Sequence, residues 1–163
     1  MIKKFFTFIF SKVWYFFIAT LLCLQSVYAA ENIIIEQRIN LMKNDILSNY
    51  LIIKDFVING KGDFSAVMKA AAVLRLSSEK ILELFPLGTG RPDVSNKVTR
   101  SLSKIWTEWD VFEETSRAMG RHVELVSLAA KSQNLQRLKK EFLLLGTNTC
   151  RECHKNFRGP RAP

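Results

Sequence analysis

Apolar residues recur along this chain at intervals of three and four, the spacing that places them on one face of an α-helix. The first such stripe covers residues 35–57, the second 63–85 and the third 105–130, while the fourth begins near residue 132 and continues towards the C-terminus. Residues 86–101 carry Gly and Pro without a sustained period, which predicts a long loop. No run alternates in the manner of a strand. The pattern therefore predicts an all-α protein, an antiparallel up-down-up-down four-helix bundle.

Residue types at the ends of the stripes predict where the helices stop and start. Gly60 follows the first stripe and is expected to end that helix. Asp63 precedes the second stripe and is a good N-cap, and Ser101 or Ser103 is placed to cap the third helix. On the first stripe, Met42 is expected to face the bundle interior together with Ile39 and Ile46, and Met68 has an equivalent place on the second stripe.

The first 29 residues have the features of a secretory signal. Two lysines near the start precede an apolar stretch from Val13 to Leu24, and the small residues Ser26, Val27, Ala29 and Ala30 follow. We expect cleavage between Ala29 and Ala30, which divides the chain into a signal peptide, 1–29, and a mature domain, 30–163. An uncleaved membrane anchor is the alternative, since a stretch of that length approaches what a bilayer requires. Cleavage predicts an exported protein with no stable membrane insertion.

Charge limits the classes of partner. The net charge is +9 for the whole chain, and removal of three lysines with the signal leaves +6. Basic residues are interleaved with acidic ones, as on solvated helix faces, and no basic run with interleaved aromatics occurs. We therefore expect no nucleic-acid binding. Attraction to an acidic partner stays open.

One motif carries specific chemistry. Cys150, Cys153 and His154 form the pattern C-x-x-C-H, which is typical of c-type haem attachment. Two thiols one helical turn apart can each add to a vinyl group of the porphyrin, and the next residue then presents an imidazole nitrogen to the iron. The alternative of a redox-active thiol pair is disfavoured, because such motifs usually follow a strand and no strand is predicted before Cys150. A zinc site would have to recruit the distant His122, and a disulfide between residues three apart in a helix would be strained.

The motif near the C-terminus of a predicted four-helix chain resembles the class II c-type cytochromes, the cytochrome c prime family. Ile105 and Trp106, with Phe112 six residues later, resemble the Ile-Trp segment of the family's third helix. The ending from Cys150 to Arg158, with an aromatic residue before the Arg, resembles the family's closing segment. The resemblance spans the mature chain and implies one covalently attached haem c, with His154 as the proximal iron ligand.

The same resemblance implies which residue is the second axial ligand of the iron, opposite His154. Low-spin members of the family place a Met on the first helix as the distal ligand, and Met42 matches that pattern. Arg158, one helical turn beyond His154, is a candidate for a bidentate contact with a haem propionate, and Arg38, one turn before Met42, for the other propionate. The aromatics that are expected to wall the haem or fill the core are Trp106, Phe112, Phe142 and Phe157.

These features predict a periplasmic monohaem electron carrier with His154 and Met42 as axial ligands, rather than an enzyme, and no catalytic residues. Its partners would be redox proteins with acidic docking faces, and a homodimer is compatible with the apolar faces of the first two helices. The alternative is a five-coordinate haem protein that binds nitric oxide or carbon monoxide as a sensor or scavenger, if Met42 does not bind the iron.

Overall fold

A computed structural model of the chain describes residues 32–95 and 97–162. The predicted signal peptide lies outside the described residues. The chain divides into two compact units, Met1–Ile34 and Ile35–Pro163. The second unit contains four long helical segments, which we number α1 to α4. No helix within the described ranges is both long and apolar enough to cross a membrane.

Two of the four helices contain a π-helical segment, and the others are α-helical. The bounds are residues 35–40, Leu41–Leu47 (π) and Ser48–Asn59 for α1; Phe64–Lys80 for α2; Lys104–Thr107 and Trp109–Lys131 for α3; Leu135–Leu145, Gly146–Arg151 (π) and Glu152–Phe157 for α4. A 3-10 turn, Leu82–Leu84, follows α2. The all-α prediction is confirmed.

The helix ends follow mostly from local chemistry. Gly60 ends α1 with φ +67°, a conformation that favours glycine, and its N–H donates back to the last turn. Asp63 caps α2 by accepting a 2.7 Å hydrogen bond from the Ala66 N–H. The predicted start of α4 near Ser132 was too early, because Asn134 is the cap and accepts from the Arg137 N–H at 2.9 Å.

Pairs of residues fix the antiparallel order of neighbouring helices. Ser78 of α2 lies beside Gly120 of α3. Phe85, which follows the end of α2, lies against Phe112, nearer the start of α3. Residue numbers therefore rise along α2 while those of their neighbours on α3 fall, so the two helices are antiparallel. The buried side chains between the helices form one hydrophobic core. The predicted up-down-up-down bundle is confirmed.

The buried face of α1 differs from the predicted stripe. Ile39 is 48% exposed, whereas its neighbour Arg38 is only 4% exposed. The stripe was extrapolated at 3.6 residues per turn, but the π-helical Leu41–Leu47 takes up an extra residue and shifts the phase by one. On α2, Met68 also lies outside the core, at 36% exposed.

Candidate haem site

An aromatic layer closes one end of the bundle and gives a common reference height for all four helices. The Arg38 guanidinium of α1 lies 4.5 Å from the centre of the Phe85 ring. Phe85 in turn contacts Phe112 of α3 at 4.8 Å between ring centres, and Phe112 contacts Phe157 of α4 at 5.3 Å. These four side chains therefore lie at nearly the same height.

The predicted iron ligands lie at a second height, just inside this layer. Met42 is four residues inward from Arg38, and His154 is three residues inward from Phe157. At 1.5 Å per residue these offsets are about 6 and 4.5 Å, so both residues reach the same level on antiparallel helices. A second contact between α1 and α4 agrees with this alignment, since the ring centres of Tyr50 and Phe142 are 4.7 Å apart. Because the two helices are antiparallel, Met42, eight residues before Tyr50, lies opposite the haem motif, which begins eight residues after Phe142.

The two cysteines of the motif are free thiols, each partly buried. Cys150 lies in the π-helical segment of α4, one residue before its end, and Cys153 lies in the α-helical turn that follows. Burial raises the pKa of both thiols, that of Cys153 to about 11, with the neighbouring Cys150 as a further cause and Arg158 opposing the shift. Both are therefore protonated at neutral pH, and a free thiol is the group that adds to a vinyl group of the porphyrin.

The imidazole of His154 is held neutral. Its ring is accessible to solvent, yet the protein around it lowers its pKa to about 4, through burial first and then through the positive charges of Arg158 and Arg100. A neutral imidazole has a free lone pair, which is the form that binds a metal. His154 remains the predicted proximal ligand.

Met42 and Ser116 complete this level of the bundle. Met42 is partly buried and packs against the hydrophobic core. Ser116, four residues inward from Phe112 on α3, is 4% exposed, and its hydroxyl has no hydrogen-bond partner within the described residues. A buried hydroxyl without a partner is costly in a packed core. The free thiols, the neutral imidazole and this orphaned hydroxyl at one height fit a site made for a further group.

Arg38 has a structural role that the sequence did not reveal. Its guanidinium donates to Leu84 O and Thr89 Oγ1, each at 3.2 Å, to Thr89 O at 2.9 Å and to Thr99 Oγ1 at 3.0 Å. All four hydrogens of the two terminal nitrogens are engaged, so a propionate could use only Nε–H without displacing these bonds. Among the described residues no carboxylate accepts from it, and burial lowers its pKa to about 10. The predicted propionate contact of Arg38 stays a prediction.

Arg158 lies just past the end of α4, where the chain becomes extended. Its N–H still bonds His154 O at 3.3 Å, and Ser101 pairs with it as an isolated antiparallel bridge. The exposed guanidinium lies near enough to His154 and Cys153 to shift both pKa values. Its predicted propionate role is compatible with this position and is not tested by it.

The long loop is held against the bundle by Trp106 as well as Arg38. The indole N–H donates to Phe85 O at 2.9 Å, and the ring lies against Gly90. Phe112, Phe142 and Phe157, which were predicted to wall the haem or fill the core, are buried, and Trp106 is partly buried.

His122 and the zinc alternative receive no support from the geometry. His122 is partly exposed, as expected, and its Nδ1 is buried without a hydrogen-bond partner. Across residues 32–95 and 97–162, no group of three or more His, Cys, Asp or Glu side chains could hold a metal ion.

Comparison with known proteins identifies the family. Residues 33–158 match the family described as Cytochrome C'. Cytochrome c' from Rhodobacter Spheriodes has a similar structure, with 22% identity, a TM-score of 0.71, and coverage of 80% of this chain and 98% of that one. For cytochrome c' from Thermochromatium tepidum the values are 21%, 0.70, 80% and 97%. A nitric oxide complex of a leucine-to-isoleucine mutant of cytochrome c prime from Alcaligenes xylosoxidans gives 20%, 0.67, 78% and 94%.

No curated protein matches the sequence. The family match covers most of the chain, and the chain therefore belongs to the cytochrome c' family. Its cofactor is one covalently attached haem c. The predicted class II c-type cytochrome is confirmed at the level of the family, whereas the finer resemblance to the low-spin, Met-ligated members has no support in these comparisons.

Proposed function

We propose that this protein binds a diatomic gas, nitric oxide or carbon monoxide, at a haem attached through Cys150 and Cys153 and held on one side by His154. Membership of the cytochrome c' family carries the proposal, together with the structural likeness to a nitric oxide complex of a relative. When bound, a ferrous haem with imidazole on one face supplies an open coordination position that takes up such a gas. We assign the protein no catalytic residue and no enzymatic reaction.

We assign a separate role at this site to each of three residues, His154, Met42 and Arg38. His154 offers a neutral nitrogen at physiological pH, because its pKa of about 4 lies well below that range. Met42, at the same height on the antiparallel helix and packed against the core, is placed to shield the opposite side with an apolar side chain. Arg38, one turn before Met42, fixes this part of α1 to the 3-10 turn and the loop through four hydrogen bonds.

A second candidate function is electron transfer with Met42 as the distal ligand. The observation that favours it is the shared height of Met42 and His154. Ligation by Met and His raises the reduction potential of a haem. Both functions use the same chain atoms and differ only in whether the Met42 thioether binds the iron.

Absorption spectra of the purified, haem-loaded protein decide between the two. Gas binding predicts a high-spin ferric spectrum in the wild type that stays high-spin in Met42→Ala, and carbon monoxide that binds the ferrous form of both. Electron transfer predicts a low-spin spectrum with the weak long-wavelength band of Met ligation, lost in Met42→Ala but kept in the matched control Met68→Ala, whose side chain lies on the exposed side of α2. That second outcome would replace the gas-binding proposal.

Covalent attachment is tested separately on denatured protein. Wild-type chain co-expressed with the attachment machinery should retain haem after denaturation, and Cys150→Ser combined with Cys153→Ser should retain none. A wild-type chain that loses its haem on denaturation would contradict the assignment of both thiols.

Export to the periplasm, with cleavage between Ala29 and Ala30, is also part of the proposal. It is supported by the sequence features of the first 29 residues and by the family. Mass spectrometry of the protein from the periplasmic fraction should give a chain that begins at Ala30 and carries one haem. A chain that retains its first 29 residues would favour the membrane anchor.

A homodimer is compatible with the exposed apolar side chains of the first two helices. Those at least 38% exposed are Ile39, Leu47, Leu51, Ile52 and Ile58 on α1, with Val73 and Leu76 on α2. Light scattering of the purified protein should report twice the mass of the chain, and Leu51→Lys should return it to the monomer.

A further inference from the structure

The net positive charge of residues 30–163 comes from two segments. Residues 91–104 and 151–161 together contain eight Lys and Arg but only two Asp and Glu, a net charge of +6. The rest of the chain from residue 30 contains 13 basic and 13 acidic residues and is neutral. The interleaving of charges that the sequence suggested holds only outside these segments, which we call the cationic patch.

Backbone pairing brings the two segments together although they are far apart in the sequence. The Leu102 N–H donates to Phe157 O at 3.1 Å, and the Gly159 N–H donates to Arg100 O at 2.8 Å. The Arg100 side chain donates from Nε–H to Gly159 O at 2.8 Å. The Arg91 guanidinium reaches Pro160 O at 3.0 Å. The cationic patch is therefore one continuous surface, and it includes the segment with the haem motif.

Like charges in the cationic patch lie close enough to repel one another. The pKa of Arg158 is lowered by burial and then by the charges of Arg100 and Arg161, and no carboxylate is among the causes. Lys97, Arg151, Lys155, Arg158 and Arg161 are exposed. A cluster of this kind raises the local concentration of anions and steers acidic molecules towards it. The two propionates of one haem would still leave the patch positive.

We propose that the cationic patch is the docking surface for an acidic electron-donor protein that reduces this haem. The inference rests on the proposed function in one respect, since gas binding at a ferrous haem and electron transfer both need such a donor. The donor loses one electron and the haem protein gains it. Five of the eight cations are arginines, whose planar forks pair with carboxylates in two parallel hydrogen bonds, which favours a structured acidic protein face over a membrane surface.

Charge-removing variants of the haem-loaded protein test the proposal. Lys97→Gln with Arg161→Gln removes two exposed charges from the cationic patch. Lys61→Gln with Lys69→Gln removes the same charge at the opposite end of the bundle, beside the turn between α1 and α2, and is the matched control. Reduction of the ferric protein is followed by stopped-flow absorbance, with reduced flavodoxin as an acidic one-electron donor.

For the wild type, the second-order rate constant should fall at least roughly tenfold between about 10 and 300 mM ionic strength. At low salt the patch variant should react about threefold or more slowly than the wild type, the control variant should stay within about 1.5-fold, and all three should converge at high salt. A wild-type rate that ignores salt, or equal losses in the two variants, would overturn the proposal.

Two further measurements identify other occupants of the patch. If oxidation by ferricyanide slows in the patch variant while the flavodoxin reaction does not, the patch attracts small anions only, and docking of a protein is refuted. If vesicles of phosphatidylglycerol bind the wild type but not the patch variant, with the flavodoxin rate unchanged, a membrane surface replaces the protein partner. Failure of the proposed gas binding is distinguishable, because it would show in the wild-type spectra with carbon monoxide whatever the docking rates.

Discussion

The contact between Gly90 and Trp106 predicts that even a single added methyl group will disturb the loop. A Cβ built at Gly90 would lie 2.2 Å from Cζ3 and 2.4 Å from Cη2 of the Trp106 ring, far inside the ordinary contact range. Gly90 does not have a positive φ, so Ala is acceptable to its backbone and the effect of Gly90→Ala is steric. The ring must therefore move away by more than about 1 Å.

Movement of the indole ring has a defined cost. Overpacking of this kind typically costs about 1–3 kcal/mol. The Trp106 N–H is bonded to Phe85 O at 2.9 Å, and loss of such a bond adds about 1 kcal/mol. We expect Gly90→Ala to lower the free energy of unfolding by about 2–4 kcal/mol, which corresponds to a melting temperature roughly 10 °C lower for a chain of this size.

Thermal unfolding of the haem-loaded protein, followed by circular dichroism, measures this change. Gly88→Ala is the matched control in the same loop, since Gly88 has φ +88° and nothing lies within 4 Å of its Cβ position. The control should cost only about 1 kcal/mol, from backbone strain. Combining Gly90→Ala with Trp106→Leu should remove most of the steric cost. If Gly90→Ala is no worse than Gly88→Ala, or is equally harmful without the indole, the steric reasoning is refuted.

Three other changes test separate parts of the structure. Asp63→Ala removes the acceptor that caps α2 and should destabilise the protein by about 1 kcal/mol in chemical denaturation, with Asp63→Asn close to the wild type. Arg38→Met removes the donor of four hydrogen bonds, one to Leu84 and three to Thr89 and Thr99 of the loop, so hydrogen exchange of residues 89–99 should become at least about tenfold faster, whereas unchanged protection would show that Arg38 does not hold the loop. In haem-free chain, the His154 ring should titrate near pH 4 by NMR, and Arg158→Gln should move that pKa upward. Because the unfolded chain takes up this proton near pH 6.5 and the folded chain only near pH 4, His154 contributes stability above pH 6.5 that is lost as the pH falls towards 4.

Local signals in the sequence predicted most of the helical architecture. Gly60 and Asp63 mark the turn between α1 and α2 through their own backbone and side-chain chemistry, so their effect needs no knowledge of the fold. Cys150, Cys153 and His154 could be assigned for the same reason, because the spacing alone sets the chemistry. The family match later agreed with that assignment of a haem protein.

Features that depend on distant contacts were beyond a local pattern. A charged residue such as Arg38 is expected in solvent, and its burial follows from loop acceptors some fifty residues away. The exposure of Ile39 follows from the π-helical segment, which has no sequence signal of its own. The gathering of charge in the cationic patch also required the pairing of Leu102 with Phe157 to become visible.

That pairing links the order of synthesis to the order of folding. The loop segment around Leu102 leaves the ribosome about fifty residues before Phe157, so its backbone bonds must wait for the last part of the chain. Contacts between residues so far apart close late, since a long loop has to be ordered first. A protease that cut after Phe157 would remove one hydrogen-bond acceptor of the Arg91 side chain, Pro160 O, and one of the Arg100 side chain, Gly159 O, and would thereby loosen a distant loop. Gly159 and Pro160 therefore stabilise the loop around Arg91 and Arg100 only after they have been synthesised.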